Sequence, residues 1–233
     1  MSKRQELREK RHQQELIQRI GIIVAFVVIA LIVVGWVVLS QQPVQGIVQV
    51  TPMPHPQANA NAMGDPKAPV KLIEYADFQC PYCKQFTDDT EAQIIATYVQ
   101  TGKVYFEYHS MGTFIGPESE RAAEAAYCAG DQGKFWEMHD IIFANQGVER
   151  SGALGDSHLT AFAAKIGLDS NQFSSCFTGG KYAGKVSQDL ADGTAAGVQS
   201  TPSFLLNGTL VEGALSFTDF QTKIDAALAA AGK

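Results

Sequence analysis

The sequence predicts an α/β domain that carries an inserted helical subdomain and follows one N-terminal transmembrane helix. Three observations predict this architecture. Residues 20–39 form a long apolar run without a charged side chain. A β-rich run over 69–78 leads directly into a proline-initiated helix. A helix-forming stretch of about 117–197 separates a second strand, 103–111, from a hairpin over 202–215.

The apolar run reads IGIIVAFVVIALIVVGWVVL. Roughly 20 helical residues at about 1.5 Å each cover the roughly 30 Å hydrocarbon layer of a bilayer. Residues 1–19 hold six basic and three acidic side chains, so this flank is predicted to stay cytoplasmic and the chain after Leu39 to lie outside. A cleavable signal peptide is the alternative, but its apolar core is usually about 7 to 15 residues long. The small-residue sites near 58–62 also lie far downstream, which favours a retained anchor.

Charge excludes several classes of function. The whole chain has 18 Lys plus Arg and 24 Asp plus Glu, so removing residues 1–19 leaves 12 basic and 21 acidic side chains, a net charge of −9. An acidic domain repels phosphate backbones. The sequence also lacks a glycine-rich phosphate loop and a basic aromatic patch, and it therefore predicts no binding of nucleotides or nucleic acids.

Residues 40–62 are predicted to be a flexible extracytoplasmic linker. They combine several prolines with Gln, Asn and Ala and show neither helical nor strand periodicity. Met53 and His55 are interpreted as linker residues rather than as ligands of a soft metal. The folded domain is predicted to occupy 63–233.

Within that domain the elements follow one another in a clear order. The run 69–78 is rich in apolar and β-forming residues, which predicts a strand that is buried on both faces. Pro81 suits the first turn of the next helix, and Gly102 ends it. The remaining predicted elements are the strand 103–111, the helices of the insert, the hairpin turning at Asn207 and Gly208, and the amphipathic helix 217–232.

The motif FQCPYCKQF, residues 78–86, places Cys80 and Cys83 around Pro81 and Tyr82. A cysteine at the N-terminal end of a helix has its thiolate stabilised by free backbone N–H groups and by the helix dipole. Cys80 holds that position, whereas Cys83 lies one turn further in. For a two-electron couple, three pKa units of thiolate stabilisation make the disulfide about 90 mV more oxidising.

The positions of the other two cysteines distinguish a metal site, a structural disulfide and a redox pair as possible roles of the four cysteines. A zinc site would need a second ligand pair, but Cys128 and Cys176 lie in the insert without a His at ligand spacing, so no metal is predicted. A purely structural Cys80–Cys83 bond would close too short a loop to stabilise the fold much. A Cys128–Cys176 bond would close about 49 residues, worth about 4 kcal/mol, and is the expected structural disulfide. Two buried free thiols are the alternative.

The stretches GDPKAPVKLIEYADFQCPYC and GVQSTPSFLLNG, on either side of a helical insert, resemble the DsbA-like thiol:disulfide oxidoreductases. The resemblance runs from about Met63 to the C-terminus and implies a thioredoxin-like fold. It also implies that Pro202 is a cis-proline facing Cys80, and that Thr201 offers backbone groups to an extended substrate. Glu74 matches the family's buried acid and would shuttle a proton for Cys83, although a solvent-facing strand carboxylate is the alternative.

Two features depart from the family pattern or stand outside it. The dipeptide Pro81-Tyr82 resembles that of glutaredoxins, whereas strongly oxidising members have Pro-His, so extreme oxidising strength does not carry over. The helical insert and the membrane anchor nevertheless argue against a glutaredoxin. His109 and His139 each stand alone in the sequence and are interpreted as packing or surface residues.

These features predict a membrane-tethered enzyme that acts outside the cytoplasm on protein thiols and needs no cofactor beyond its Cys80–Cys83 redox pair. The expected reaction introduces disulfides into exported cysteine-containing proteins. The resemblance implies a quinone-linked membrane protein that reoxidises the pair. Two alternatives stay open at this point: a reductase or isomerase of the same fold, and a non-catalytic module that binds unfolded segments in a groove at Pro202.

Overall fold

The computed structural model describes residues 19–36, 44, 46–51 and 53–232. Helix α1, Arg19–Trp36, has a mean hydropathy of 2.6, and none of its residues is buried. Its length and composition suit a membrane span. The predicted cytoplasmic residues 1–18 and the last predicted anchor residues, 37–39, lie outside the described part of the chain. A second compact unit begins at Val44.

The second unit is built on a mixed sheet, which confirms the predicted α/β class. The five strands that the structure describes lie in the order β1-β3-β2-β4-β5, with β2 and β3 parallel and the other pairs antiparallel. The strands are β1, Ala62–Met63; β2, Val70–Ala76; β3, Val104–Ser110; β4, Ser203–Leu206; and β5, Thr209–Glu212.

Strand β2 lies at the centre of the sheet and is covered on both faces, as its continuous apolar run predicts. Leu72 and Ala76 belong to the main core, whereas Tyr75 belongs to a smaller cluster on the other face. Glu74 is fully buried although it is acidic. The hairpin between β4 and β5 turns at Asn207 and Gly208, whose φ angles of 48° and 84° are those of a two-residue turn with left-handed residues.

The helix after the cysteine motif is less regular than the sequence predicts. It begins as α2, Pro81–Phe86, and passes through a π-helical segment, Thr87–Glu91, before the short helix α3, Ala92–Ile94. A second π-helical segment, Ile95–Val99, completes it. Wider π turns redirect side chains relative to an α-helix. Here the first segment places Thr87, Thr90 and Glu91 in the interior.

Five helices lie between β3 and β4 and form the predicted insert. They are α4, Pro117–Gly130; α5, Phe135–Ala144; α6, Asp156–Lys165; α7, Ser170–Thr178; and α8, Ala183–Ala195. A disulfide between Cys128 and Cys176 joins α4 to α7, with the two Cα atoms 5.8 Å apart. The chain ends with α9, Phe217–Ala230, whose N-terminus is capped by the Ser216 side chain.

The segment predicted as a flexible linker is held against the domain over part of its length. The Val48 N–H donates to Asn145 Oδ1 at 2.7 Å, and Asn145 Nδ2 donates back to the Val48 carbonyl at 3.0 Å. Val50 packs on the core. The ring of His55 stacks on that of Trp136 at 5.8 Å. Composition alone misses this contact, because it depends on helix α5, which lies about 90 residues further along the chain.

Gly193 on α8 marks a close approach between the insert and the sheet. A Cβ atom at this position would lie 2.7 Å from Met111 Sδ and 2.8 Å from Tyr75 Cδ1, whereas a Cβ at Gly184 on the same helix would meet nothing within 4 Å. We expect Gly184→Ala to stabilise the fold by up to about 1 kcal/mol, because alanine favours helix. Gly193→Ala should be less stable than Gly184→Ala by about 1 to 3 kcal/mol, because the added methyl group overpacks the interface.

Denaturant unfolding of the two glycine variants measures this difference. Equal midpoints for Gly193→Ala and Gly184→Ala would show that α8 and the sheet are not in close contact at this point.

Candidate active site

The cysteine motif lies between the end of the central strand and the start of the next helix. Strand β2 ends at Ala76, and Cys80 takes the N-cap position of α2 in an extended conformation, with Pro81 opening the helix. The Cys80 N–H donates to the Asp77 carbonyl at 2.9 Å. Cys80 is 5% exposed and Cys83 is fully buried, and both are free thiols in this structure. The fold therefore leaves a small part of Cys80 accessible to solvent and encloses Cys83 completely.

The two sulfurs differ strongly in acidity. The Cys83 thiol donates a hydrogen bond to the Cys80 sulfur, and this is the largest cause that lowers the pKa of Cys80 to about 6. Thr201 and the backbone N–H groups of Cys83 and Tyr82 lower the pKa further, against an opposing effect of burial. The sequence predicts that the helix end stabilises the Cys80 thiolate. In the structure, the hydrogen bond from the Cys83 thiol lowers the pKa of Cys80 more than the backbone N–H groups at the helix end do.

Burial has the opposite effect on the inner sulfur. It raises the pKa of Cys83 well above that of an ordinary thiol, and the Cys80 sulfur raises it further. Near neutral pH, the pair therefore holds its negative charge on Cys80 and its proton on Cys83.

Glu74 lies inside the domain and not on a solvent-facing side of its strand. Burial, followed by the charge of Cys80, raises the pKa of this carboxyl group to about 8. The group can thus keep its proton at neutral pH and can also release it, which is what a proton donor or acceptor for Cys83 requires.

Thr201 and Pro202 lie beside Cys80, where the resemblance places them. The peptide bond between them is cis. Cys80 Sγ lies 3.3 Å from the Thr201 carbonyl oxygen, to which it donates when it is protonated. Strand β4 begins directly afterwards, at Ser203, and pairs with β2. Cys80, Thr201 and Pro202 are thus brought together by two neighbouring strands.

The rim around Cys80 carries apolar side chains that face solvent. Tyr82 is 62% exposed in the motif itself, and Phe114 and Val148 are 46% and 75% exposed in two nearby loops. The first loop is attached through the Ile115 N–H, which donates to Asp77 Oδ2 at 3.0 Å. Arg150 Nε in the second loop donates to the Ile115 carbonyl at 2.9 Å. This rim could contact an apolar polypeptide.

Three polar residues that support the site were not predicted from the sequence. Gln146 Nε2 donates to the carbonyls of Phe78 at 2.7 Å and Cys80 at 2.9 Å, and so fixes the loop before the helix. Asp77 Oδ1 accepts from the Gln79 N–H at 2.7 Å, and both side chains are buried. The only available signal was the presence of Asp and Gln within an apolar stretch. Gln146 gave no signal, because it lies in a distant loop.

The two histidines contact other elements of the domain. His109 bridges Glu107 and Asp189 at 2.9 Å on each ring nitrogen, on the side of the sheet that faces α8. His139 is fully buried among aromatic rings of β3 and α5. Among the residues that the model describes, no group of three or more His, Cys, Asp or Glu side chains is arranged to hold a metal ion.

Comparisons with known proteins agree with this geometry. The fold and the site define a thioredoxin-like protein with a cysteine pair at the start of its first core helix. A family model described as thioredoxin matches residues 57–226. The chain belongs to this thioredoxin family, and the predicted resemblance to DsbA proteins is confirmed in its fold.

Solved structures show the same fold. The α-DsbA1 protein of Wolbachia pipientis superposes with a TM-score of 0.65 at 24% identity, covering 77% of this chain and 94% of that one. BdbD from Bacillus subtilis superposes with a TM-score of 0.64 at 23% identity, covering 78% of this chain and 99% of that one.

Two kinds of protein are among the curated relatives. A probable disulfide bond formation protein D from Bacillus cereus is 29% identical over 153 residues, which is 64% of this chain and 70% of that protein. The Na(+)/H(+) antiporter NhaA 3 of Salinispora tropica is 33% identical over 168 residues, which is 72% of this chain. The match spans about a quarter of the antiporter's length, since it covers 24% of it.

The hydrogen bond between the two sulfurs can be tested directly. Replacing Cys83 with Ala removes the largest cause of the acidity of Cys80. We therefore expect the thiolate absorbance of Cys80 to titrate with a pKa of about 6 in the reduced wild type. In Cys83→Ala its pKa should rise toward that of an ordinary thiol, about 8.5.

Gln85→Ala, an exposed change on the same helix, is the control and should titrate like the wild type. An unchanged Cys80 pKa in Cys83→Ala would show that the helix end alone stabilises the thiolate.

Proposed function

We propose that this protein is a membrane-tethered thiol:disulfide oxidoreductase that introduces disulfides into exported proteins outside the cytoplasm. The observation that carries the proposal is the opposite acidity of two sulfurs in one motif, with the pKa of Cys80 lowered to about 6 and that of Cys83 raised. A sulfur that is stable as a thiolate is a good leaving group, so a disulfide through Cys80 is readily given up to a substrate.

The reaction proceeds in two exchanges. A substrate thiolate attacks Cys80 Sγ and breaks the Cys80–Cys83 bond, which leaves a mixed disulfide and a Cys83 thiolate. Cys83 then takes a proton from Glu74. The second substrate thiolate attacks the substrate sulfur of the mixed disulfide, and Cys80 leaves as a thiolate. Two electrons pass from the substrate to the cysteine pair.

The surroundings of Cys80 suit an unfolded polypeptide as the substrate. The backbone at Thr201 and Pro202 lies next to the reactive sulfur, with the Thr201 carbonyl 3.3 Å from Cys80 Sγ. The exposed side chains of Tyr82, Phe114 and Val148 offer apolar contacts on the rim. Folded proteins bury their apolar side chains, so such a rim favours clients that have not finished folding.

The cellular arrangement follows from the N-terminal helix and from the balance of electrons. Helix α1 would anchor the protein by a single span, and the basic residues that precede it would keep the N-terminus in the cytoplasm. Each turnover leaves a reduced pair, so a second protein must remove two electrons, and a quinone-linked membrane protein would do so. The cysteine pair is the only redox group that this cycle requires.

Trapping of mixed disulfides tests the proposal. In Cys83→Ala, the Cys80 thiolate attacks a client disulfide, forms a mixed disulfide with one client sulfur and releases the other as a thiolate, and no Cys83 thiol is left to displace the bound client. We expect cells that produce the full chain with Cys83→Ala to accumulate mixed disulfides with exported proteins, seen as bands that disappear on reduction.

Cys80→Ala is the matched control and should give none, since Cys83 is fully buried. A Cys83→Ala protein that binds the same clients only non-covalently would instead identify a peptide-binding module and contradict the proposed activity.

A further inference from the structure

Several polar side chains are buried near the cysteine pair. Of these, only Glu74 takes part in the two exchange steps. Within the described residues, neither carboxylate oxygen of Glu74 has a hydrogen-bond partner, and the same holds for Glu91 Oε2, the Tyr108 hydroxyl and His139 Nε2. A buried polar group without a partner costs about 1 to 3 kcal/mol. Several such groups in one core need a functional explanation.

These groups lie in one region of the domain. Glu74 on β2 is directly opposite Tyr108 on the parallel strand β3, so both side chains point to the same face of the sheet. The ring of Tyr108 lies 5.4 Å from the ring of His139 on α5. Glu91, which the π-helical segment turns inward, is 1% exposed.

The charges of the same groups act on Glu91. Burial is the largest cause that raises the pKa of Glu91 to about 8, the charge of His139 lowers it, and the carboxylates of Glu74 and Asp140 raise it further. Glu74 in turn acts on Cys83 and feels the charge of Cys80. Two carboxyl groups with similar proton affinity can exchange one proton at little cost.

The far end of the group reaches solvent. His139 Nδ1 lies 3.0 Å from Asp140 Oδ1, and Asp140 Oδ2 lies 3.3 Å from His55 Nε2. Asp140 also lines a surface cleft of about 260 Å³, together with Thr51 and Met53. Thr87, one helical turn before Glu91, lines the same cleft. A proton can therefore enter or leave the domain here, whereas Cys83 and Glu74 are fully buried.

We propose that Glu91 and His139 form a proton relay between Glu74, beside Cys83, and the cleft at Asp140 and His55. The relay rests on the proposed function, since it serves the proton that Cys83 gains and loses in each redox cycle. It also gives His55, in the segment that connects the domain to its membrane helix, a defined position at the exit.

The relay moves one proton for each two-electron turnover. When the Cys80–Cys83 bond breaks, the Cys83 thiolate takes the proton of Glu74 and leaves a carboxylate. Glu74 recovers a proton from Glu91 through a bridging water molecule, since neither Glu74 oxygen is in direct hydrogen-bond contact with a described protein group, and Glu91 recovers one from solvent through His139 and Asp140. When the pair is reoxidised, the same proton passes outward. The electrons move only between sulfur atoms, so the balance of the two exchanges is unchanged.

Hydrogen exchange at the buried carboxyl groups tests the relay without any client protein. The full chain in detergent is transferred into deuterated buffer below pH 7, and the C=O band of protonated carboxyl groups is followed by infrared spectroscopy. Glu74→Gln identifies the Glu74 band. We expect Glu91→Gln to slow the deuteration of Glu74 by at least about tenfold, because a carboxamide cannot carry the proton.

Asp89→Asn is the matched control, since Asp89 lies two residues away on the same helix and is exposed. It should exchange like the wild type. If Glu91→Gln is folded by circular dichroism but its Glu74 deuterates at the wild-type rate, the relay is wrong.

A second variant keeps the relay testable if Glu91→Gln does not fold. Asp140→Asn lies next to the cleft and keeps the shape of the side chain, and it should slow the deuteration of both Glu74 and Glu91. Wild-type exchange of both groups in folded Asp140→Asn would overturn the proposed exit. Exchange requires no client and no redox partner, so failure of client trapping would leave this result intact, and the two proposals can be judged separately.

Discussion

The hydrogen bond from the Cys83 thiol to the Cys80 sulfur is the interaction on which the site depends. It requires one sulfur at the end of a helix and the other one turn further in, which the spacing of the motif provides. It also requires the inner thiol to keep its proton, which complete burial ensures. Complete burial of Cys83 and the slight accessibility of Cys80 therefore both serve this hydrogen bond, and the sheet and α2 hold the two sulfurs in place.

Placing that device in the core makes the surrounding polar groups costly. Glu74 and Glu91 are carboxyl groups in an apolar environment, where burial disfavours the charged form and raises the pKa of each. A carboxyl group that titrates near neutral pH is poor for stability but suited to proton exchange. The disulfide between α4 and α7 and the tightly packed contact at Gly193 offset part of this cost elsewhere in the domain.

Local sequence patterns predicted the elements that local forces determine. The apolar run of α1, the buried strand β2, the helix start at Pro81 and the turn at Asn207 each follow from a few neighbouring residues. The docking of His55 on Trp136 and the inward turn of Glu91 depend on packing between distant parts of the chain. Sequence periodicity carries no information on such contacts. For this reason the linker was predicted to be flexible, and Glu91 was not predicted as a site residue. Glu74 was identified only through the family resemblance.

The central claim is that the acidity of Cys80 makes the cysteine pair an oxidant, and equilibration of the full chain with glutathione at pH 7 tests it most directly. The account predicts a reduction potential above the about −270 mV of thioredoxin, because the Cys80 pKa of about 6 lies below the roughly 7 of the thioredoxin thiol and each pKa unit corresponds to about 30 mV. A potential at or below that of thioredoxin would contradict the claim and would identify the protein as a reductase.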